Sequence, residues 1–150
     1  MKKIKITFVE DEALLRTLFE DSIEAFKDER TDTEFSMNTV PDFSSAMKLL
    51  EEGQVPDIVI LDLRLPSGKG EPNETPEKEY GFEILKKIKA DPRFDKMPVI
   101  VFTNLADHET EHKAYALGAD AFMVKSKVVP NELFDAVLKT IKEVTEKTIC

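Results

Sequence analysis

Three short apolar runs punctuate the chain, at residues 4–9, 58–61 and 99–102. Each is dominated by Val, Ile and Phe and is too short for a helix, so each predicts a strand buried on both faces. Weaker runs at 35–40 (FSMNTV) and 121–124 (AFMV) predict two further strands. Between the runs the apolar spacing changes to that of a helix. Leu14, Leu15, Leu18, Phe19, Ser22, Ile23 and Phe26 trace one stripe, and Ala46, Met47, Leu49 and Leu50 a shorter one that can stop at Gly53. Phe82, Leu85 and Ile88 recur at three-residue steps until Pro92. A fourth helix is predicted from about Asp107, its N-cap, to Gly118, its stop. A fifth carries Leu133, Val137, Ile141 and Val144 on one face, with Pro130 near its start.

Strand and helix thus alternate five times, which favours an α/β fold with a parallel sheet covered on both faces. Right-handed crossovers leave few topologies. The flat apolar first, third and fourth strands belong in the middle, and the more polar second and the short fifth at the edges. The expected order is the doubly wound 2-1-3-4-5. No repeat or interdomain linker interrupts the pattern, so residues 1–150 read as one domain with a core over about residues 3–146.

Charge narrows the function classes. Thirty acidic against 21 basic residues give a net charge of -9, which argues against nucleic acid or an anionic membrane as the direct partner. No apolar run approaches the roughly 20 residues of a membrane span, and the start MKKIKITFVEDE lacks the apolar core of a secretion signal. A single cysteine, Cys150, allows no intrachain disulfide and suits a reducing compartment, so a cytoplasmic location is expected.

In an open α/β sheet, ligands gather beyond the carboxyl ends of the strands. The polar residues at those ends are Glu10-Asp11-Glu12 after the first strand, Asp62 after the third, Thr103-Asn104 after the fourth and Lys125-Ser126 after the fifth. Parallel strands bring all of them to one edge. Taken singly, the acids after the first strand are ordinary helix-start residues, Asp62 an ordinary turn residue and Lys125 a surface charge. Taken together they make a cluster of carboxylates, a hydroxyl and an ammonium. Hard oxygen ligands of that kind suit Mg²⁺. A carboxylate beside such a metal can attack a phosphoryl group, with Lys125 and Thr103 meeting the phosphoryl oxygens.

These residues, in this order and at these strand ends, resemble the receiver domain of a two-component response regulator, of the single-domain chemotaxis-receiver kind. The likeness covers nearly the whole chain and implies a flavodoxin-like (βα)₅ fold. It implies Asp62 as phosphoacceptor, with Pro66 four residues on. It implies Mg²⁺, with Mn²⁺ as a substitute, held by Asp11, Asp62, the backbone carbonyl of Arg64 and, through water, Glu10. Thr103 would be the switch hydroxyl, Lys125 the phosphate-pairing ammonium, Phe122 the rotating switch aromatic without a hydroxyl, and Asn104 a neighbour of the phosphoryl group. Asp62, Lys125 and Thr103 would make the domain catalyse its own phosphorylation and dephosphorylation, though it is no conventional enzyme. The partner would be a sensor histidine kinase or a histidine phosphotransfer protein. The face of the fourth helix, fifth strand and fifth helix would carry the signal and is the candidate homodimer contact. Few residues follow the last helix, so no output domain is expected.

Three features depart from the family pattern. Ser126 stands where a cis proline is usual. Asn104 stands where a small residue is usual, and its bulk is expected to narrow access to the phosphoryl site. Residues 67–80 enlarge the connection between Pro66 and Gly81, either as a tolerated surface insertion or as a partner contact. Two other readings compete: a receiver-like interaction module that works without phosphorylation, and a zinc hydrolase suggested by His108-Glu-Thr-Glu-His112, which matches H-E-x-x-H. The haloacid-dehalogenase-like phosphatases need an acid two residues after the nucleophile, where this chain has Arg64.

Overall fold

The computed structural model describes residues 2–29, 33–53, 55–68, 80–105 and 107–149. Strands and helices alternate: β1 (Lys2–Val9), α1 (Ala13–Glu29), β2 (Thr33–Val40), α2 (Phe43–Glu51), β3 (Ile58–Leu61), α3 (Tyr80–Ala90), β4 (Val99–Thr103), α4 (His108–Ala116), β5 (Ala121–Val124) and α5 (Pro130–Ile149). All pairings are parallel and the order is β2-β1-β3-β4-β5, as the apolar patterning predicts. No helix among the described residues is long and apolar enough to cross a membrane.

β3 and β4 are buried on every residue because both faces are covered, whereas β1 alternates, with Lys3 and Lys5 exposed, until Ile6, from which every residue to Val9 is buried. Successive side chains point to opposite faces, so each strand feeds two cores. Ile4, Ile6, Phe8, Ile58, Ile60, Ile100 and Phe102 pack under α1 and α5. Val9, Val59, Leu61, Val99 and Val101 pack under α2, α3 and α4. The α1–α5 side is rich in phenylalanine. Phe19 meets both Phe8 and Phe102 edge-on, with ring centroids 5.5 and 5.6 Å apart, and Phe134 stacks against Phe19, Phe26 and Phe35. Edge-on pairing suits the ring quadrupole.

The α1 stripe is narrower than the spacing predicts. Phe19, Ile23 and Phe26 are buried, but Leu14 is 89% and Leu18 50% exposed. At 100° per residue Leu18 lies roughly a quarter-turn or more from the centre of the sheet-facing arc and Leu14 close to the opposite side. On α5 the buried face includes Phe134 and Thr140 beside Leu133 and Val137. The predicted ends of α4 hold: the Asp107 carboxylate accepts from Thr110 N at 2.8 Å, and Gly118 takes φ +105°, a left-handed conformation that closes the helix. The same contacts with Thr110, through its backbone N–H first and its hydroxyl next, hold the Asp107 carboxyl below the usual range.

Two contacts fix the chain around the end of β3. The start of the β3–α3 connection is tied to α2: Phe43 N and Ser44 N donate to the carbonyls of Pro66 and Ser67 at 3.1 and 2.9 Å, and the Ser44 hydroxyl also donates to Ser67 O. Its far end is Gly81, whose N–H donates to Leu63 O at 3.0 Å. A Cβ at Gly81 would lie 2.5 Å from Leu63 Cα and closer still to the Asp62 carbonyl oxygen. Most of the enlarged segment, residues 69–79, lies outside the described residues.

Because the clash at Gly81 is with backbone, neither side can yield by a rotamer change. Gly81→Ala is expected to cost about 1–3 kcal/mol of stability, read as a lower urea midpoint at unchanged slope. A midpoint equal to that of the parent protein would contradict this packing.

Candidate functional site

The carboxyl ends of β1, β3, β4 and β5 lie side by side, and the residues after them form one cluster. Glu10 follows Val9, Asp62 follows Leu61, Thr103 ends β4 and Lys125 follows Val124. Glu10, Asp62 and Thr103 are all buried, at 0, 4 and 1% exposure. Charged groups are almost never buried to this extent unless paired. The partner is Lys125, whose side chain is 7% exposed and whose ammonium lies 2.6 Å from Glu10 Oε2 and 2.7 Å from Asp62 Oδ2. The Asp62 contact is a well-aligned hydrogen bond, and Asp62 Oδ1 accepts from Leu63 N at 2.7 Å. Glu12 stands 4.0 Å from the same ammonium at the exposed rim.

Glu10 is the strained member. Its Oε1 accepts from Glu12 N at 3.2 Å. Its Oε2 meets Lys125 as an ion pair off the hydrogen-bond direction, so this buried oxygen has no aligned donor among the described residues. Burial, reinforced by repulsion from Asp62, pushes the Glu10 carboxyl up to about 7. Lys125 is pulled both ways: burial lowers it, and the Asp62 and Glu10 carboxylates more than offset this, holding it above its ordinary value.

Asp11 is exposed beside Glu10, and carboxylate oxygens of Glu10, Asp11 and Asp62 all lie within 4.8 Å of one another. Among the described residues this is the one such group of potential metal ligands. An all-oxygen donor set open to water on the Asp11 side, holding a buried oxygen short of a donor, fits a hard divalent cation. Arg64 is exposed in the bend after β3.

The hydroxyl of Thr103 accepts from Leu105 N at 3.3 Å, which leaves its own proton free to donate. Asn104 is exposed and its Oδ1 accepts from Ser126 N at 3.0 Å. Lys125, Ser126 and Lys127 form a short 3₁₀ turn, and no peptide bond among the described residues is cis. Phe122, half-buried, pairs with Val101 in the β4–β5 register and packs on the α2–α4 side. One contact escapes sequence reasoning: Arg16 Nη1 donates to the Glu10 carbonyl at 2.7 Å, closing the β1–α1 turn. Its signal is only an arginine in the second turn of a helix.

His108 and His112 are exposed in the first turns of α4, lining a shallow depression with Glu109, Glu111 and Tyr115. They gather no third ligand among the described residues, and the zinc-hydrolase alternative has no support.

Comparison with known proteins agrees with this geometry. A family model described as response regulator receiver domain matches residues 6–138. The chemotaxis protein CheV2 of Helicobacter pylori is 34% identical over 91 residues, 61% of this chain and 25% of that protein. A protein-glutamate methylesterase/protein-glutamine glutaminase of Nitrosomonas europaea is 31% identical over 130 residues, 85% of this chain and 31% of that protein. The chain therefore spans a quarter to a third of these relatives. The phosphorylated cyanobacterial phytochrome response regulator RcpA is similar in structure, with a TM-score of 0.67, 27% identity and coverage of 90% of this chain and 89% of that one.

The raised Glu10 carboxyl has a sign that can be checked in chelator-treated protein. Folding raises its value from an ordinary 4.5 to about 7. The folded state thus holds the proton more tightly, and stability is lost as pH rises from 4.5 through 7. Glu10→Gln removes this loss. The variant is expected to gain thermal stability over the parent progressively across that window, measured as the difference in Tm. A difference that shrinks as pH rises would contradict the assignment.

Proposed function

The chain belongs to the response regulator receiver domain family, and on that premise we propose that it takes a phosphoryl group from a histidine kinase or histidine phosphotransfer protein onto Asp62 and later releases it by hydrolysis. The observation that carries the reading is the Asp62 carboxylate itself. It is buried at the end of β3, with one oxygen held by Leu63 N and the other by the Lys125 ammonium, in a pocket of further carboxylates.

The chemistry balances simply. A carboxylate oxygen of Asp62 attacks phosphorus, the P–N bond of the phosphohistidine breaks, and the imidazole leaves with that electron pair. In the reverse phase water attacks phosphorus, the acyl P–O bond breaks, and the Asp62 carboxylate returns. Glu10, Asp11, Asp62 and the Arg64 carbonyl would hold Mg²⁺, or Mn²⁺ in its place. When bound, the cation would supply charge neutralisation at the phosphoryl oxygens. Lys125 already sits on Asp62, so its ammonium can follow the negative charge from carboxylate to phosphoryl oxygen. Thr103 has its hydroxyl proton free to donate to a second oxygen.

The switch follows from those two shifts. Thr103 ends β4 and Lys125 follows β5, where the connections into α4 and α5 begin, so drawing them to one phosphoryl group biases the α4–β5–α5 face. Phe122 sits on that face, half-buried, with no hydroxyl to fix it in either position. The same face is the proposed contact for a downstream partner or a second copy.

Incubation with acetyl phosphate and Mg²⁺ is expected to add one phosphoryl group, seen as an intact-mass increase. The increase should vanish in Asp62→Asn and with chelator. A variant Asp62→Asn that keeps full signalling activity, alongside a parent protein that takes no phosphoryl group, would instead favour a phosphorylation-independent interaction module.

A further inference from the structure

Thr103 and Val124 are the last paired residues of β4 and β5. Beyond them the two strands leave the sheet, Asn104 following Thr103 on one side and Lys125 following Val124 on the other. β5 is an edge strand of four half-buried residues, so it is held from one side only. Past the end of that ladder, one hydrogen bond among the described residues joins the two connections: Ser126 N–H donates to Asn104 Oδ1 at 3.0 Å.

We propose that Asn104 is a positioning residue, which through Ser126 holds the backbone of Lys125 in register with Thr103. The inference rests on the reading of Asp62 as phosphoacceptor. A lysine side chain is long and flexible, so its ammonium can reach Asp62 from several backbone positions. The ion pairs with Glu10 and Asp62 therefore do not fix the turn that carries it. The Asn104 contact does, because it lies next to both functional residues and closes the gap where the ladder ends. The donor is a backbone N–H, so only the carbonyl end of the Asn104 carboxamide can face it. The rotation of the side chain is thereby set, and its NH₂ end is turned away from Ser126. The two unusual residues at this edge are thus one device: Ser126 supplies an N–H that proline lacks, and Asn104 supplies the oxygen that meets it.

When a phosphoryl group draws Thr103 and Lys125 together, the tie makes the two connections move as a unit. Without it, each must be ordered separately, which slows the approach to the reacting geometry. The bond is neutral and exposed, so its effect is modest, about two- to tenfold in rate.

The test is a double-mutant cycle on phosphorylation by acetyl phosphate at saturating Mg²⁺, with Asn104→Ala, Ser126→Pro and the double variant. Asn104→Ala is expected to slow the rate about two- to tenfold while leaving Mg²⁺ affinity unchanged, because Asn104 touches none of the carboxylates. In the Ser126→Pro background it should add no further loss. An equal loss in both backgrounds would mean that Asn104 acts on the phosphoryl group directly, and would overturn the proposal. So would a rate unchanged by Asn104→Ala, or a parallel loss of Mg²⁺ affinity. Should Ser126→Pro fail to fold, the Ser126 amide decides: its hydrogen exchange should quicken in Asn104→Ala by a similar factor, and unchanged exchange overturns the tie. A parent protein that takes no phosphoryl group would overturn the phosphoacceptor reading instead, and the amide exchange would then judge the tie alone.

Discussion

A single buried ammonium holds this molecule's working edge together. Three carboxylates converge within 4.8 Å, and Lys125 is the cation set among them. Once Glu10 has lost its proton, above about pH 7, three negative charges face one positive, two of them buried and Asp11 on the exposed side. A cluster built for stability would not be short of cations. Burying a charge without full pairing costs free energy, and replacing such groups with apolar ones is often neutral or favourable. The surrounding fold must therefore offset a local deficit. It does so with two apolar cores, one on each face of the sheet. The residual charge in turn makes the edge receptive to a cation.

Parallel topology explains why the charges meet at all. Every strand runs the same way, so every strand ends at the same edge, and the residue after each end emerges there. Burial follows from position. Glu10 and Asp62 are flanked by β-strand residues that are nearly inaccessible. Gly81 lets α3 approach the backbone of Asp62 and Leu63 at a distance no side chain allows. The rigidity of the Asp62 carboxylate thus comes from its neighbours' close-packed backbone together with its own contacts to Leu63 N and Lys125. That rigidity matters because positioning and fixed electrostatics supply most of what a protein contributes to phosphoryl transfer.

Much of this was legible in the sequence. Apolar runs of four to six residues, alternating with helical stripes, specify five strands, five helices and their order. The strand-end acids, the hydroxyl and the ammonium follow from reading what stands next to each run. What was not legible depends on angle or on distance across the chain. Leu14 and Leu18 look like core residues by spacing, yet a helix on a sheet buries an arc narrower than the stripe. Phe134 falls outside the stripe that the spacing predicts for α5, yet it joins the phenylalanine cluster on that side of the sheet. Glu10 and Asp11 are equivalent on paper, whereas the strand end buries the first and exposes the second. Arg16 on the Glu10 carbonyl and Asn104 on the Ser126 amide join residues through backbone groups, which no side-chain pattern encodes.

The two anchors flanking the β3–α3 connection have a consequence for how such a chain can change over time. On one side Pro66 and Ser67 are bonded to the start of α2, and Gly68, at φ +82°, lies where any Cβ would overlap the Asp42 carboxylate. On the other, Gly81 is bonded to Leu63. Lengthening a loop between fixed ends costs only a logarithmic amount of entropy. Insertions between these anchors leave in place the bonds that fix the chain around Asp62. The connection is a grafting point, where sequence can be added beside the strand-end cluster without shifting the backbone that carries it.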